Sequence, residues 1–102
     1  METSDKPVAN PSAIFQETGD GWAVLVNLDT ARSLALNPSG ILVWQLIDGQ
    51  RSVHEIVADV KRHFRDAPPT VTDDVTTLLN ILIEEGMAGF EWSPNAEDLA
   101  NS

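Results

Sequence analysis

Cysteine is absent from this chain, and with it go disulfides, thiolate nucleophiles and cysteine-based zinc sites. Basic residues are scarce: 6 Lys and Arg stand against 16 Asp and Glu, for a formal net charge of −10. A field of that sign opposes approach to nucleic-acid phosphates and to anionic membrane surfaces. Long apolar runs are missing as well; stretches such as Ile41 to Trp44 fall far short of the roughly 20 residues that a membrane helix needs. The opening Met1-Glu2-Thr3-Ser4-Asp5-Lys6 lacks the apolar segment of a secretory signal, so a cytoplasmic location is expected. What remains, 102 residues of which 42% are hydrophobic, suffices for one domain around a single core.

Catalytic constellations are equally thin. His54-Glu55 begins like a zinc-protease helix, but the position four after His54 is Ala58, so a second ligand is missing. His54 and His63 are too far apart along one helix to face a single metal, and a solvent-facing position is expected for both. Asp73 and Asp74 would point about 100° apart on a helix, where complementing the helix dipole explains them. Ser12, Ser33, Ser39 and Ser52 have no context resembling a strained nucleophile turn. Gly19-Asp20-Gly21 joins two strand-like segments, where a hairpin turn accounts for both glycines. The expectation is a protein that is not an enzyme and holds neither metal nor cofactor.

The pattern that is present predicts an α+β domain, with a three-stranded antiparallel sheet followed by three helices. Residues 1–11 are polar with two prolines and no period, and read as a loose N-terminal arm. Ala13 to Glu17, Trp22 to Asn27 and Arg32 to Leu36 read as strands of a meander, separated by turns at Thr18 to Gly21 and at Asp29-Thr30. Asn37 then suits a helix N-cap and Pro38 a first helical position, with Gly49 as the stop. Ile41, Leu42, Val43, Trp44, Leu46 and Ile47 leave that helix almost no polar face, so it must be central or partly covered. Ser52 and Glu55 form a capping-box pair ahead of the stripe Val53, Ile56, Val57, Val60 and Phe64. After the Pro68-Pro69 break, Thr70 or Thr72 caps a third helix with core stripe Val71, Val75, Leu78, Leu79 and Leu82, ended by Gly86. Met87 to Trp92 reads as an extended return, closing a folded domain of residues 12–92, and residues 93–102 as a mobile tail. Arg51, Lys61, Arg62 and Arg65 cluster on the second helix, where a solvated face is favoured over a docking patch.

Several of these segments, Leu36-Asn37, Trp44, Leu46-Ile47-Asp48-Gly49, Arg51-Ser52-Val53, Glu55-Ile56 and Glu85-Gly86-Met87, resemble the pattern of PqqD-like proteins. The resemblance runs from about Pro11 to Phe90 to a family named for coenzyme pyrroloquinoline quinone synthesis protein D. It implies a small winged-helix-like domain acting as a peptide chaperone or recognition element. Such proteins present the leader of a ribosomally made precursor peptide to a modifying enzyme, often a radical S-adenosylmethionine enzyme, and hold no cofactor themselves. It also implies a site, with the leader added as a strand along Arg32, Ser33, Leu34, Ala35 and Leu36. The facing helix contributes Asp74, Thr77, Leu78 and Ile81. Leu34 and Leu78 read equally well as core, whereas neither Arg32 nor Ile81 is needed to complete an internal stripe. Trp22, Trp92 and the acidic tail depart from the usual pattern.

Two other uses of such a fold are a winged-helix transcription regulator and a regulatory or assembly subunit that binds a folded partner. Chain physics supports the peptide reading, because a three-stranded meander leaves edge N–H and C=O groups open to an extended chain. It opposes the regulator. The helix from Thr70 to Glu85, which would enter the major groove, carries Asp73, Asp74, Glu84 and Glu85 and no Lys or Arg. A gel shift with duplex DNA at low salt, where electrostatic affinity is greatest, is therefore expected to show no complex; micromolar binding there would overturn this exclusion.

Overall fold

The order of elements in the computed structural model, which describes Glu2, residues 4–64, Asp66 and residues 69–90, follows the alternation of sequence periods. Strands β1 (Val8–Ala9), β2 (Ala13–Glu17), β3 (Ala23–Asn27) and β4 (Ser33–Leu36) come first. Helices α1 (Pro38–Leu46), α2 (Val53–His63) and α3 (Val71–Glu84) follow, and β5 (Ala88–Gly89) ends the described chain. The expected meander forms as an antiparallel sheet of order β2-β3-β4, with Leu25 opposite Phe15 on one side and Leu34 on the other. Side chains alternate across it. Ala23, Leu25 and Leu36 point into the core, while Ser33 and Ala35 lie on the opposite face with Val24 and Val26. Among the described residues no helix is long and apolar enough to cross a membrane.

The helices form where their caps and stripes place them. Asn37 accepts from the Gly40 N–H at 2.8 Å, and Pro38 occupies the first turn. Helix α1 is partly covered, as its composition requires: Val43 is buried, whereas Ile41, Leu42, Trp44 and Leu46 are half-buried. It ends at Leu46, earlier than a Gly49 stop implies, and Gly49 adopts φ 77° within the turn beyond. There Asp48 accepts from the N–H groups of Gln50 and Arg51 at 2.9 and 3.1 Å. The Gln50 contact leads in holding the Asp48 carboxyl below its usual range.

Ser52 and Glu55 exchange both capping-box bonds, at 3.2 and 3.1 Å, and the Ser52 N–H lowers the Glu55 carboxyl's pKa. Arg51, just before α2, pairs with Asp48 and with Asp59 of the helix, and Arg62 pairs with Asp59, so much of the basic cluster is matched by neighbouring carboxylates. Arg65 lies outside the described residues. Thr70 takes the N-cap position of α3 without capping it; its hydroxyl donates instead to Asp74 Oδ2 at 3.2 Å.

The N-terminal segment differs from the loose arm expected of residues 1–11. Pro7 and Asn10 are buried, and β1 pairs antiparallel with β5 in a second, two-stranded sheet. Further backbone bonds run from Gly49 N to Pro7 O and from Val53 N to Asp5 O, both 2.9 Å. Two-residue strands carry no readable period, and their backbone bonds are insensitive to side-chain type, so nothing in the composition of this segment marks it as structural. The extended return is present over Ala88–Gly89, while Glu91, Trp92 and the tail of residues 93–102 lie outside the described residues.

Two buried asparagines tie these parts together. Asn10 Nδ2 and Asn27 Nδ2 both donate to the carbonyl of Gly86, at 2.8 and 3.0 Å. Gly86 sits at φ 73°, and a Cβ there would lie 2.8 Å from Asn27 Nδ2, so both the conformation and the space call for glycine. Asn27→Ala is expected to cost about 2 kcal/mol, through lost bonds and a buried polar vacancy. Removal of residues 1–10 is expected to cost at least as much. Urea unfolding checks both; a midpoint unchanged by the truncation would show that the β1–β5 pair contributes nothing.

Candidate functional site

Strand β4 is an edge of its sheet, with β3 on one side and no strand on the other among the described residues. Which of its backbone groups are free follows from the ladder. Asn27 N donates to Arg32 O at 2.9 Å, which makes Asn27 and Arg32 a hydrogen-bonded pair. In an antiparallel ladder such pairs alternate, so Leu25–Leu34 and Ala23–Leu36 are also bonded pairs, and Val26–Ser33 and Val24–Ala35 are not. The N–H and C=O groups of Ser33 and Ala35 therefore point away from β3, toward the open edge.

Helix α3 supplies the other wall. Asp74, Leu78, Ile81 and Glu85 recur at i, i+4, i+7 and i+11 and so follow one side of the helix. Asp74 is exposed, Leu78 half-buried and Ile81 36% exposed. The two walls are joined at one end, where Arg32 meets both carboxylate oxygens of Glu85 at 3.2 and 3.3 Å. This ion pair is well exposed and contributes at most ~1 kcal/mol, so it aligns more than it stabilises. Asn27, next to the second turn, fixes the same joint from below through Gly86.

At the other end the chain leaves β4 through Asn37 and Pro38, and a cavity of about 700 Å³ opens there. Its walls are Val43 of α1, Val60 and Phe64 of α2, and Val71, Val75 and Leu78 of α3. Ser39, His63, Asp66 and Asp74 complete the lining. The cavity exists because α1, α2 and α3 converge through short aliphatic side chains, mostly valine, which leave the space between them unfilled. Every buried side-chain nitrogen and oxygen among the described residues has a partner, so no orphaned polar group points into this space.

The residues singled out from sequence thus fall on an open strand edge and on one side of α3, in different roles. Ser33 and Ala35 present backbone to the edge. Leu34 is half-buried and Leu36 only 1% exposed, so the Leu36 side chain belongs to the core. Arg32 is engaged by Glu85 rather than free. On α3, Asp74 and Leu78 line the cavity, while Thr77 and Ile81 remain exposed. Leu78 is displaced from the expected core stripe, because Val71, Val75, Leu79 and Leu82 complete it without it. Both histidines of α2 are exposed, as expected, and His63 stands at the cavity. Among the described residues no three His, Asp or Glu side chains are grouped to hold a metal ion. Sequence reasoning missed Glu85, Asp66 and Phe64 as groove residues. Phe64 carried a signal, as the last member of its stripe beside the proline break; Glu85 carried one only as part of the closing Glu85-Gly86-Met87 segment, which says nothing of a partner for its carboxylate.

A solved structure of TbiB1 in complex with the TbiA(beta) leader peptide has the same fold, with a TM-score of 0.68. The two chains are 21% identical, and the alignment covers 84% of this chain and 99% of that one. No curated protein sequence matches. The family model of coenzyme PQQ synthesis protein D (PqqD) matches residues 23–88, from the second strand of the meander to the strand that follows α3. That span holds β4, all three helices and most of the groove between them: the chain belongs to the PqqD family.

Proposed function

We propose that this protein is a non-catalytic peptide chaperone that binds the leader of a ribosomally synthesised precursor along β4 and presents it to a modifying enzyme. The observation that carries this reading is the pair of outward-facing backbone positions, Ser33 and Ala35, on an open edge strand that Arg32–Glu85 ties to α3, whose accessible flank bears Leu78 and Ile81. An extended peptide gains backbone bonds from the first and side-chain contacts from the second, which is how strand addition combines affinity with choice. Membership of the PqqD family supports it, as does the likeness in fold to TbiB1, a protein solved with a leader peptide bound. In this reading Arg32, Ser33, Leu34, Ala35, Asp74, Thr77, Leu78 and Ile81 contact the leader. Leu36 contributes only through its position at the strand's end. The partner enzyme, of the radical S-adenosylmethionine type or another, supplies the chemistry.

The ladder provides a sharp test. Ala35→Pro removes an N–H that faces the open edge, a position where edge strands tolerate proline. Leu34→Pro removes one that is bonded to β3. Ala35→Pro is expected to weaken binding of a labelled leader peptide of the cognate precursor by roughly tenfold, the worth of about one backbone bond, with little loss of stability. Leu34→Pro is expected to destabilise the fold itself. Ile81→Asp is expected to weaken binding severalfold while the fold survives, because Ile81 is outside the core. Amide shifts on titration should gather at residues 32–36 and 74–81. Shifts gathered instead around Arg51, Lys61 and Arg62 would move the site to α2 and end the strand-addition model.

A further inference from the structure

The outer face of the β2-β3-β4 sheet is apolar, where the solvated face of an antiparallel sheet is ordinarily polar. Along β3 the core-facing positions are Ala23, Leu25 and Asn27, all buried. The outward positions, counting the residues that flank the strand, are Trp22, Val24, Val26 and Leu28. The ladder continues through both flanks, with backbone bonds from Thr18 N to Trp22 O and from Leu28 N to Ser12 O. This strand therefore carries larger apolar side chains on its solvent side than on its core side. Ile14, directly opposite Val26, is 46% exposed, Trp22 47% and Leu28 65%. The other outward strand positions are Gln16 of β2 and Ser33 and Ala35 of β4, so none is charged, in a chain with 16 acidic and 6 basic residues. Single exposed leucines need no explanation; a contiguous uncharged face marks an interaction surface.

The dimensions of the face argue against a second copy as its occupant. Three strands about 4.8 Å apart, with up to five residues of about 3.3 Å each, give a footprint of roughly 240 Å². Two such faces stacked would bury on the order of 500–800 Å² in total, short of the ~1,200 Å² at which specific interfaces begin. A second copy would also bring carboxylates of the same sign to the border, from Asp20 and Asp29 in the two turns of the meander, both exposed. These turns lie within the described residues, and their one cation neighbour in the chain, Arg32, is drawn to Glu85 on α3. A larger partner with basic residues around an apolar patch meets neither obstacle. It can also reach past the sheet, because Trp22 shares a cleft of about 340 Å³ with Pro38 and Ile41. Strand β4 belongs both to this face and to the open edge, so a leader strand added there widens the same face. Whatever sits on the face lies against the leader.

We propose that the outer face of the meander is the docking surface for the modifying enzyme, which meets it with an apolar patch bordered by Lys or Arg. This rests on the peptide-chaperone reading above and adds where the third component sits: the enzyme on the face and the leader on the edge, with β4 common to both.

The experiment uses the full chain, the purified modifying enzyme of the cognate precursor, and an Ile14→Thr/Trp22→Thr/Leu28→Thr variant. Threonine keeps strand propensity at three exposed positions outside the leader site. The enzyme, with leader present or absent, should bind the variant about tenfold more weakly, the scale of losing an interface hot spot. A labelled leader should bind both proteins equally. Leu28→Thr alone, at the most exposed of the three positions, should weaken enzyme binding about threefold, which preserves the test if the triple variant is destabilised. On the unaltered protein, raising salt from about 50 to about 500 mM should weaken enzyme binding severalfold. Equal enzyme binding by the variants, or no enzyme binding by the unaltered chain, would overturn the docking surface and leave leader binding standing. Binding indifferent to salt would overturn the basic border. A dimer of the chain alone in sedimentation, lost in the variant, would assign the face to a second copy and overturn the proposal. Shifts of the Val24 and Val26 amides on removal of residues 91–102 would assign it to that segment, with the same result. A leader bound by neither protein would overturn the chaperone reading instead.

Discussion

The carbonyl of Gly86 is the joint on which the rest of the molecule depends. It accepts from Asn10 on the N-terminal segment and from Asn27 at the end of β3, and it belongs to the residue that turns the chain out of α3. Three parts of the chain that share no local sequence meet at one oxygen atom. Buried amides are costly unless satisfied, so each asparagine is committed to this partner and the relative placement of sheet and helix is fixed. Asn27 is also bonded through its backbone to Arg32, the residue that leads into β4. The base of the groove is therefore set from the core outward, and the exposed Arg32–Glu85 pair is laid over a joint already made.

That arrangement explains why the groove is rigid at one end and roomy at the other. Near Gly86, hydrogen bonds with fixed geometry hold sheet and helix together. Toward Asn37, the facing side chains are mostly valines, which are short and leave the space between the three helices unfilled. Packing leaves space there because no large side chain is available among the aliphatic walls except Phe64 and Leu78 at their edge.

Much of this architecture was legible in the sequence because it is written in local periods. Ser52 and Glu55 announce α2, Asn37-Pro38 announces α1, and the strand-rich segments between turn residues announce the meander, though not its register. The α3 flank was visible as well, since Thr77 and Ile81 fall off the core stripe. What could not be read depends on distance along the chain. Strand β5 lies in the extended return, but its partner β1 is two residues long and roughly eighty positions away, so neither a period nor a neighbour reveals β1 or the pairing. Glu85 became a groove residue only once the joint had brought it to Arg32. The cavity was hidden for a related reason: an unfilled space between three helices is a property of their angles, and no single residue encodes it. Leu78 shows where periodicity stops being informative, since a helical stripe of leucines does not say which one faces a void.

The shortness of β4 has a consequence for the behaviour of the protein in concentrated solution. An open strand edge is an invitation to any extended chain, including another copy of the same edge. Here only Ser33 and Ala35 turn their backbone groups outward, so two copies meeting edge to edge would share few bonds. Each would also bring a net charge of −10 to the encounter. Self-pairing through β4 thus combines little gain with strong mutual repulsion.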